Sequence, residues 1–370
     1  MEKNLYCSMI HGGLELKIKK DHAVAQQCCL RSSKFPVDIN TNYWFHPKFK
    51  ILRNLNKKNE WSAGCQNCQV LESAGIVSLR NGMNRKFGNE DYDLPGPKRI
   101  DLYFDQSCNL ACRICTPESS TFWQKHLQEH KINFPLIPGG TVDHAILALS
   151  KLDLSNLGMV VFCGGETLLG QSWWKVAEWL AQNVPNAQQQ LTLCFQTNGT
   201  QSISERNRDL INRFHLVRLQ ISLDGVGNKF NYQRWPAEWN QVVDNIMSIR
   251  DTAPSNTMFL IEETISIFNL YYQSELTNWV ANNFCTNREG DIVDHTRHLV
   301  HGIYGLQNCS ENYVRYLRSM GLGDFIPDHW QENKHQIQKM IAEIKQFDIL
   351  RNQSFEKTFP EVAEFYSQWL

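Results

Sequence analysis

From residue 98 onward the chain alternates short strand-forming runs with amphipathic helical stretches, and this alternation restricts its fold more than any other feature. Strand-type runs fall at Arg99–Phe104, Met159–Cys163, Leu191–Gln196, Leu216–Leu223 and Met258–Ile267, with a last one near Ile292–Val300. In the first, Ile100, Leu102 and Phe104 share one face. Helical periodicity marks Thr116–His130, Trp173–Gln182, Ser204–Phe214, Ala237–Arg250 and Tyr272–Asn283. Repetition of this kind predicts an α/β protein whose parallel sheet is wrapped by helices, open or barrel-like. From Glu311 the chain reads as helical, with Ile337, Met340, Ile341 and Ile344 at helical spacing.

Residues 1–92 read differently. They are rich in Cys, Asn, Gly and Lys and carry no long helical period. They predict short strands and turns around a metal site, with one helix near Pro47–Asn56. The stretch Asp93-Leu94-Pro95-Gly96-Pro97 reads as a linker. The expected division is therefore 1–92, a linker at 93–97, a main α/β unit at 98–310 and a helical extension at 311–370. With 370 residues the chain is long enough for one large core and a smaller unit.

A net charge of −1 gives no electrostatic footprint for nucleic acid or an anionic membrane. No apolar run is long enough for a transmembrane helix, and the N-terminus has no signal-like apolar stretch. A cytoplasmic protein is expected, with neither nucleic-acid nor membrane partners. Twelve cysteines in such a chain shift weight from disulfides to metal or redox chemistry.

The densest cysteine cluster is Ser107-Cys108-Asn109-Leu110-Ala111-Cys112-Arg113-Ile114-Cys115, directly after the first predicted strand of the main unit. Three thiolates from one loop can wrap one face of a cubane iron–sulfur cluster. Three ligands leave the fourth iron open to an amino-carboxylate such as the methionine end of S-adenosylmethionine (SAM). A zinc knuckle is the alternative, but zinc wants a fourth nearby Cys or His. The nearest histidines, His126 and His130, lie more than ten residues on.

Further motifs accompany the triplet. Phe162-Cys163-Gly164-Gly165-Glu166 ends the second strand, about 50 residues after Cys115. Gln196-Thr197-Asn198-Gly199 ends the third, and Ile221-Ser222-Leu223-Asp224-Gly225 the fourth, followed by Arg234. With them the chain resembles the radical SAM superfamily across 98–310. The resemblance implies a partial (β/α)6 TIM-like barrel. It implies a [4Fe–4S] cluster on Cys108, Cys112 and Cys115 that cleaves SAM to a 5′-deoxyadenosyl radical. It also implies a cofactor site made of Gly164, Gly165, Glu166, Thr197, Asn198, Ser222, Asp224 and Arg234. Glu166 would accept hydrogen bonds from the cofactor's ammonium, and Ser222 and Arg234 would meet its carboxylate. Ile114 stands where the family often has an aromatic residue against the adenine.

Upstream, Cys65-Gln66-Asn67-Cys68 follows Cys7 and the adjacent pair Cys28-Cys29 and precedes Glu72-Ser73-Ala74-Gly75-Ile76-Val77-Ser78-Leu79-Arg80. This pattern resembles a twitch-type auxiliary cluster domain placed before the barrel. Phe347-Asp348-Ile349-Leu350-Arg351 and Phe359-Pro360-Glu361 extend the resemblance to the C-terminus. It implies a second [4Fe–4S] cluster on Cys7, Cys28, Cys65 and Cys68, with Cys28 favoured over Cys29. Zinc on the same thiolates is the alternative, since spacing does not separate them. Cys163, Cys194, Cys285 and Cys309 read as small buried hydrophobes.

Relatives with such domains act on ribosomally made precursor peptides (RiPPs). The resemblance therefore implies peptide modification: backbone excision of the splicease type, epimerisation or crosslinking. A small peptide-recognition protein and an electron donor such as flavodoxin or ferredoxin are the implied partners. A nucleoside, sugar or other small molecule is the alternative substrate, and a non-catalytic iron–sulfur carrier or zinc scaffold the alternative class. Polar residues over the last strands, Glu262, Thr264, Asn269, Asp294 and His298, could position a peptide backbone, but each reads first as an ordinary strand-end or surface residue.

Overall fold

The computed structural model describes residues 4–31, 34–73, 75, 77–88, 92–135, 138–284, 294–300, 302–327 and 329–370. Nine strands form one sheet: β1 Gly13–Ile18, β2 Ala23–Gln26, β3 Phe35–Val37, β4 Arg99–Tyr103, β5 Met159–Phe162, β6 Thr192–Thr197, β7 Leu216–Ser222, β8 Thr257–Ile265 and β9 Asp294–Leu299. Their order is β3-β2-β1-β4-β5-β6-β7-β8-β9. Strands β4 to β9 are successive parallel neighbours, and β1 joins β4 in parallel with Leu14 opposite Ile100. β2 and β3 turn back antiparallel at the edge.

The α/β expectation holds, and each of the six strand-type runs became a strand. The N-terminal segment contributes its three strands to the same sheet, beyond the 93–97 connection. The helix expected over Thr116–His130 is instead a short 3-10 turn, Pro117–Ser119, and a helix, Thr121–Glu129. Ser120 interrupts it because its hydroxyl caps the second piece, accepting from the Trp123 N–H at 3.1 Å. The helix Val142–Ser150 was not expected, although Thr141 caps it through the His144 N–H. Its Ala145, Ala148 and Leu149 follow helical spacing and are buried. The N-terminal region also forms three short helices, Ser8–Gly12, Gln66–Ser73 and Leu79–Phe87.

One face of the sheet carries the main core. Leu14, Leu16, Ile100, Leu102, Val160, Phe162, Leu193, Phe195, Val217, Leu219 and Ile261 pack against the helical Ala145, Trp173, Val176, Leu180, Val242, Ile246 and Leu276. The opposite face holds only a small apolar group of Met159, Val161, Cys163 and Cys194, with Phe87 and Tyr103 against it. Charged and polar side chains fill the rest of that face: Arg99 and Asp101 pair on β4, and Gln220, Glu262 and His298 meet on β7–β9. This inner face is concave. Cys29 interacts electrostatically with Asp101 on β4 and with His298 on β9. In a flat sheet five strand spacings would hold those strands roughly 24 Å apart.

A second core, centred on Phe268, Tyr304, Tyr313, Met340, Phe355 and Phe359, packs the C-terminal helices past the ends of β8 and β9. The helix Lys334–Arg351 belongs to it. No helix among the described residues is long and apolar enough to cross a membrane.

Candidate functional site

The cysteine triplet lies in the loop leaving β4, at the C-terminal end of the parallel strands, where α/β sheets place their ligands. Two neighbours fix this loop. Its backbone pairs with the segment after β7, as Ala111 N–H donates to Trp235 O and Arg113 N–H to Gln233 O, both at 2.8 Å. The β5 end closes on it from the other side, with Glu166 N–H donating to Ser107 O at 2.8 Å. That approach requires glycine: Gly165 has φ +58°, and a Cβ there would lie 2.4 Å from Ser107 O.

Cys108, Cys112 and Cys115 come together in the folded chain. The Cys112 and Cys115 side chains hydrogen-bond, which raises the first thiol's pKa and lowers the second's, and Cys108 interacts with both. Burial pushes Cys108 up to about 12. Cys112 is buried and Cys115 exposed, so the set opens outward. Ile114, between them, is half-buried.

The expected cofactor residues gather around this opening. Asn198 Nδ2 reaches Cys108 Sγ at 3.9 Å and Asn109 Oδ1 at 3.1 Å. Arg234 pairs with Asp224 at 2.7 Å, both buried, and acts on Cys112 and Cys115. Asp224 also accepts from the Thr264 N–H at 2.9 Å, tying β7 to β8. Burial raises the carboxyl pKa of Asp224, against the pull of Arg234. Ser222 is half-buried at the end of β7, opposite Glu262.

Glu166 is more engaged than the sequence implied. Its carboxylate accepts from Leu168 N–H at 2.9 Å, Thr197 Oγ1 at 2.7 Å and Asn198 N–H at 2.5 Å. It is 1 % exposed, and burial raises its pKa despite these bonds. Before it meets any ligand, Glu166 fastens the end of β5 to the end of β6. Each oxygen accepts up to two hydrogen bonds, so one acceptor direction remains on Oε2.

Several residues that sequence reasoning did not assign support the triplet from behind. Arg113 packs over the Tyr232 ring at 3.8 Å and pairs with Asp348 of the C-terminal helix at 2.5 Å. Tyr232 donates to the same carboxylate oxygen at 2.8 Å. Trp123 donates its indole N–H to Cys112 O at 2.8 Å. Arg351 lies over the rings of Trp123, Phe347 and Trp235 at 4.6, 4.8 and 4.9 Å. The Phe347–Arg351 stretch had marked this segment, but nothing in the sequence said that it meets the triplet.

The N-terminal cysteines form a second cluster. Cys7, Cys28, Cys65 and Cys68 line one pocket, together with Arg31, Trp61, Ser62 and Arg80. Cys29 does not line it; a hydrogen bond with Cys28 acts on it most strongly, followed by its burial and by Asp101, Arg99 and Glu15. Ser62 Oγ lies 3.2 Å and Arg31 Nη1 3.7 Å from Cys65 Sγ, and the two are joined by a 2.9 Å hydrogen bond. Arg80 pairs with Glu72 at 2.5 Å, acts on Cys7 and Cys68, and with Leu79 lines the pocket beside these thiols. Asn56 accepts from the Cys7 N–H at 3.0 Å and fixes that segment. Burial pushes Cys7 up to about 11.

Four thiols lining one pocket, with the Arg31 guanidinium and the Ser62 hydroxyl against Cys65 Sγ, suit an anionic group such as a thiolate-bound cubane. Among the described residues, no group of three or more His, Cys, Asp and Glu side chains stands at the spacing of a single metal ion. Of the isolated cysteines, Cys163, Cys194 and Cys309 are buried, and Cys285 lies outside the described residues. Of the polar residues over the last strands, Glu262 and His298 meet at 3.6 Å, and Gln220 donates to Glu262 at 2.7 Å. Asn269 turns away into a hydrogen bond with Thr264 O. The Asp294 side chain lies outside the described residues.

No protein-family profile and no curated protein matches the chain. Among solved structures it is similar to native anSMEcpe with bound AdoMet and a Cp18Cys peptide, at 17 % identity over 61 % of this chain and 58 % of that one, with a TM-score of 0.40. It is also similar to Streptococcus suis SuiB bound to S-adenosylmethionine, at 12 % identity over 83 % and 66 %, with a TM-score of 0.36. For SuiB bound to the precursor peptide SuiA, the values are 11 %, 94 % and 74 %, and 0.38. The chain spans less than two thirds of the length of anSMEcpe. At these identities and scores the likenesses assign neither fold nor function, and the chemistry rests on the residues of this chain.

Proposed function

We propose that the chain is a radical SAM enzyme that modifies a ribosomally made precursor peptide. The observation that carries this reading is the convergence, at one end of the parallel strands, of the open three-thiol loop with the Gly164-Gly165-Glu166 turn, Thr197-Asn198 and the Asp224–Arg234 pair. Cys108, Cys112 and Cys115 would hold a [4Fe–4S] cluster. Reductive cleavage of SAM to a 5′-deoxyadenosyl radical is the chemistry the bound groups supply.

The chain's own residues then do the binding. Gly164 and Gly165 bring backbone against the site, and the remaining acceptor direction of Glu166 receives an ammonium. Ser222 and Arg234 face a carboxylate, with Asp224 holding the guanidinium in place. Ile114 packs on the adenine. Asn198 orients Asn109 and approaches Cys108. On this reading the main unit is a partial (β/α)6 barrel over 98–310. Cys7, Cys28, Cys65 and Cys68 hold an auxiliary [4Fe–4S] cluster in a twitch-like unit over 1–92, and 311–370 is the helical extension. The peptide enters over the concave polar face, past Gln220, Glu262 and His298. Backbone excision, epimerisation and crosslinking are the candidate reactions, with a peptide-recognition protein and a flavodoxin or ferredoxin as partners.

The test is anaerobic reconstitution with iron and sulfide, followed by SAM and a strong reductant. Release of 5′-deoxyadenosine is expected, and its absence from a cluster-loaded protein would sink the enzyme reading. Co-expression with short peptides encoded beside the gene, read by mass spectrometry, tests the substrate class.

A further inference from the structure

Behind the triplet lies a buried cation with no carboxylate of its own among the described residues. Arg351 is 6 % exposed, and its Nη1 and Nη2 are buried without a hydrogen-bond partner. Its Nε meets only His126 Nε2, at 3.5 Å. Three aromatic rings enclose it, and the charge acting on it most strongly is a second cation, Arg113, which Asp348 neutralises. Aromatic faces offset only part of the penalty of burying a guanidinium. A buried charge of this kind persists where something nearby compensates it. Besides the Tyr304 and Tyr232 hydroxyls, Cys112 acts on it, a group that is anionic once its thiol loses its proton on ligating a bound cluster. Trp123 links the two, since its ring lies under Arg351 and its N–H holds Cys112 O.

We infer that Arg351 is an electrostatic positioning residue for the triplet, holding the group bound there at a higher reduction potential than the three thiolates alone would give. This rests on the triplet carrying a [4Fe–4S] cluster. Three thiolates leave such a group with net negative charge, and reduction adds another negative charge, so a fixed buried cation favours the reduced form. Arg351 touches neither cofactor nor substrate; it acts through Cys112.

The test is an anaerobic redox titration of the reconstituted full chain, followed by electron paramagnetic resonance. The triplet's signal is identified as the one missing from the C112A variant. Arg351→Gln is expected to weaken the reduction equilibrium at least tenfold, ~59 mV for a one-electron couple, to more negative potential. Arg351→Lys, which keeps the charge, is expected to recover most of the shift. His126→Glu, which places a carboxylate beside an intact Arg351, is expected to shift the potential the same way as Arg351→Gln, so the inference remains testable if that variant does not fold. A purely structural role would lower thermal stability and leave the potential unchanged in Arg351→Gln and His126→Glu, which would overturn the inference. A wild-type chain with no signal dependent on Cys112 would overturn the radical SAM reading and this inference with it.

Discussion

The two cysteine sites are built on opposite plans. The N-terminal thiols come from three separated segments, Cys7, Cys28 and Cys65–Cys68, and surround a cavity. The triplet comes from one loop whose third cysteine is exposed and whose open side faces the strand ends. Their cations differ as well. At the N-terminal site Arg31 and Ser62 reach a sulfur directly, and Arg80 is neutralised by Glu72. At the triplet, Arg234 is neutralised by Asp224, and the unneutralised Arg351 lies behind the loop. A closed cage with four ligands suits a group that exchanges electrons. An open loop with three leaves room for a chelating ligand. The difference lies in the fourth position, which a fourth thiol takes at the N-terminal pocket and the three-cysteine loop leaves open.

The strongest way to break this comparison is to remove each site separately. Reconstituted wild type is expected to hold about eight irons, from two cubanes of four. Replacing Cys108, Cys112 and Cys115 together by Ala should halve the iron and abolish 5′-deoxyadenosine release. Cys65→Ala or Cys68→Ala should also lower the iron, yet retain cofactor cleavage without product. If a chain lacking the triplet still releases 5′-deoxyadenosine, the roles assigned to the two sites are wrong.

The buried ion pair behind the triplet should matter next. The Arg113 side chain is fully buried and that of Asp348 15 % exposed. Asp348→Ala strands the guanidinium and is expected to lower stability by about 3–5 kcal/mol, measured by urea unfolding of the apo chain. A change below about 1 kcal/mol would show that the C-terminal helix does not clamp the triplet.

Glu166 separates structure from ligand binding. Glu166→Gln keeps the side chain's shape but loses charge-assisted bonds, each worth about 1.5–3 kcal/mol. SAM affinity is expected to fall roughly ten- to a hundredfold in equilibrium dialysis, with a measurable drop in melting temperature because the carboxylate also ties β5 to β6. Unchanged affinity with reduced stability would leave Glu166 a fastener only.

At the N-terminal site Ser62→Ala removes the hydroxyl 3.2 Å from Cys65 Sγ. It should lower the potential of that site's cluster and leave the triplet's unmoved, as hydrogen bonds to ligand sulfurs raise such potentials. Equal shifts at both sites would mean that the hydroxyl does not act locally.

The smallest effect is a pH dependence on the inner face. The hydrogen bond and charge of Glu262 raise the His298 pKa from its usual value of 6.5, against partial burial. Its stabilising contribution is therefore full below pH 6.5 and is lost as pH rises through the raised folded value. Proton NMR titration of Glu262→Gln should show the imidazole pKa falling. An unchanged value would separate the two side chains.

Much of this was legible in the chain because it is local. The strand–helix alternation after residue 98 encodes periodicity within each element, and the sheet followed it. The triplet was legible because three ligands in one loop need no long-range folding to come together. The helix Val142–Ser150 was missed although its cap and spacing were present, and Thr116–His130 was read through a serine that prefers to cap.

Other features could be decided only by tertiary contacts. The choice of Cys28 over Cys29 as a cavity-lining thiol depends on which way two adjacent side chains turn, which composition and spacing do not encode. The joining of β1 to β4 depends on pairing between segments about 85 residues apart, with Leu14 opposite Ile100. Arg351 reads as an ordinary helical arginine, and its burial against Trp123 joins residues more than 200 positions apart. The sequence by itself determined which residues are candidates for the chemistry, because ligand spacing and strand-end motifs are short-range. The tertiary structure decided their charge environment, because buried electrostatics depend on distance in space rather than along the chain.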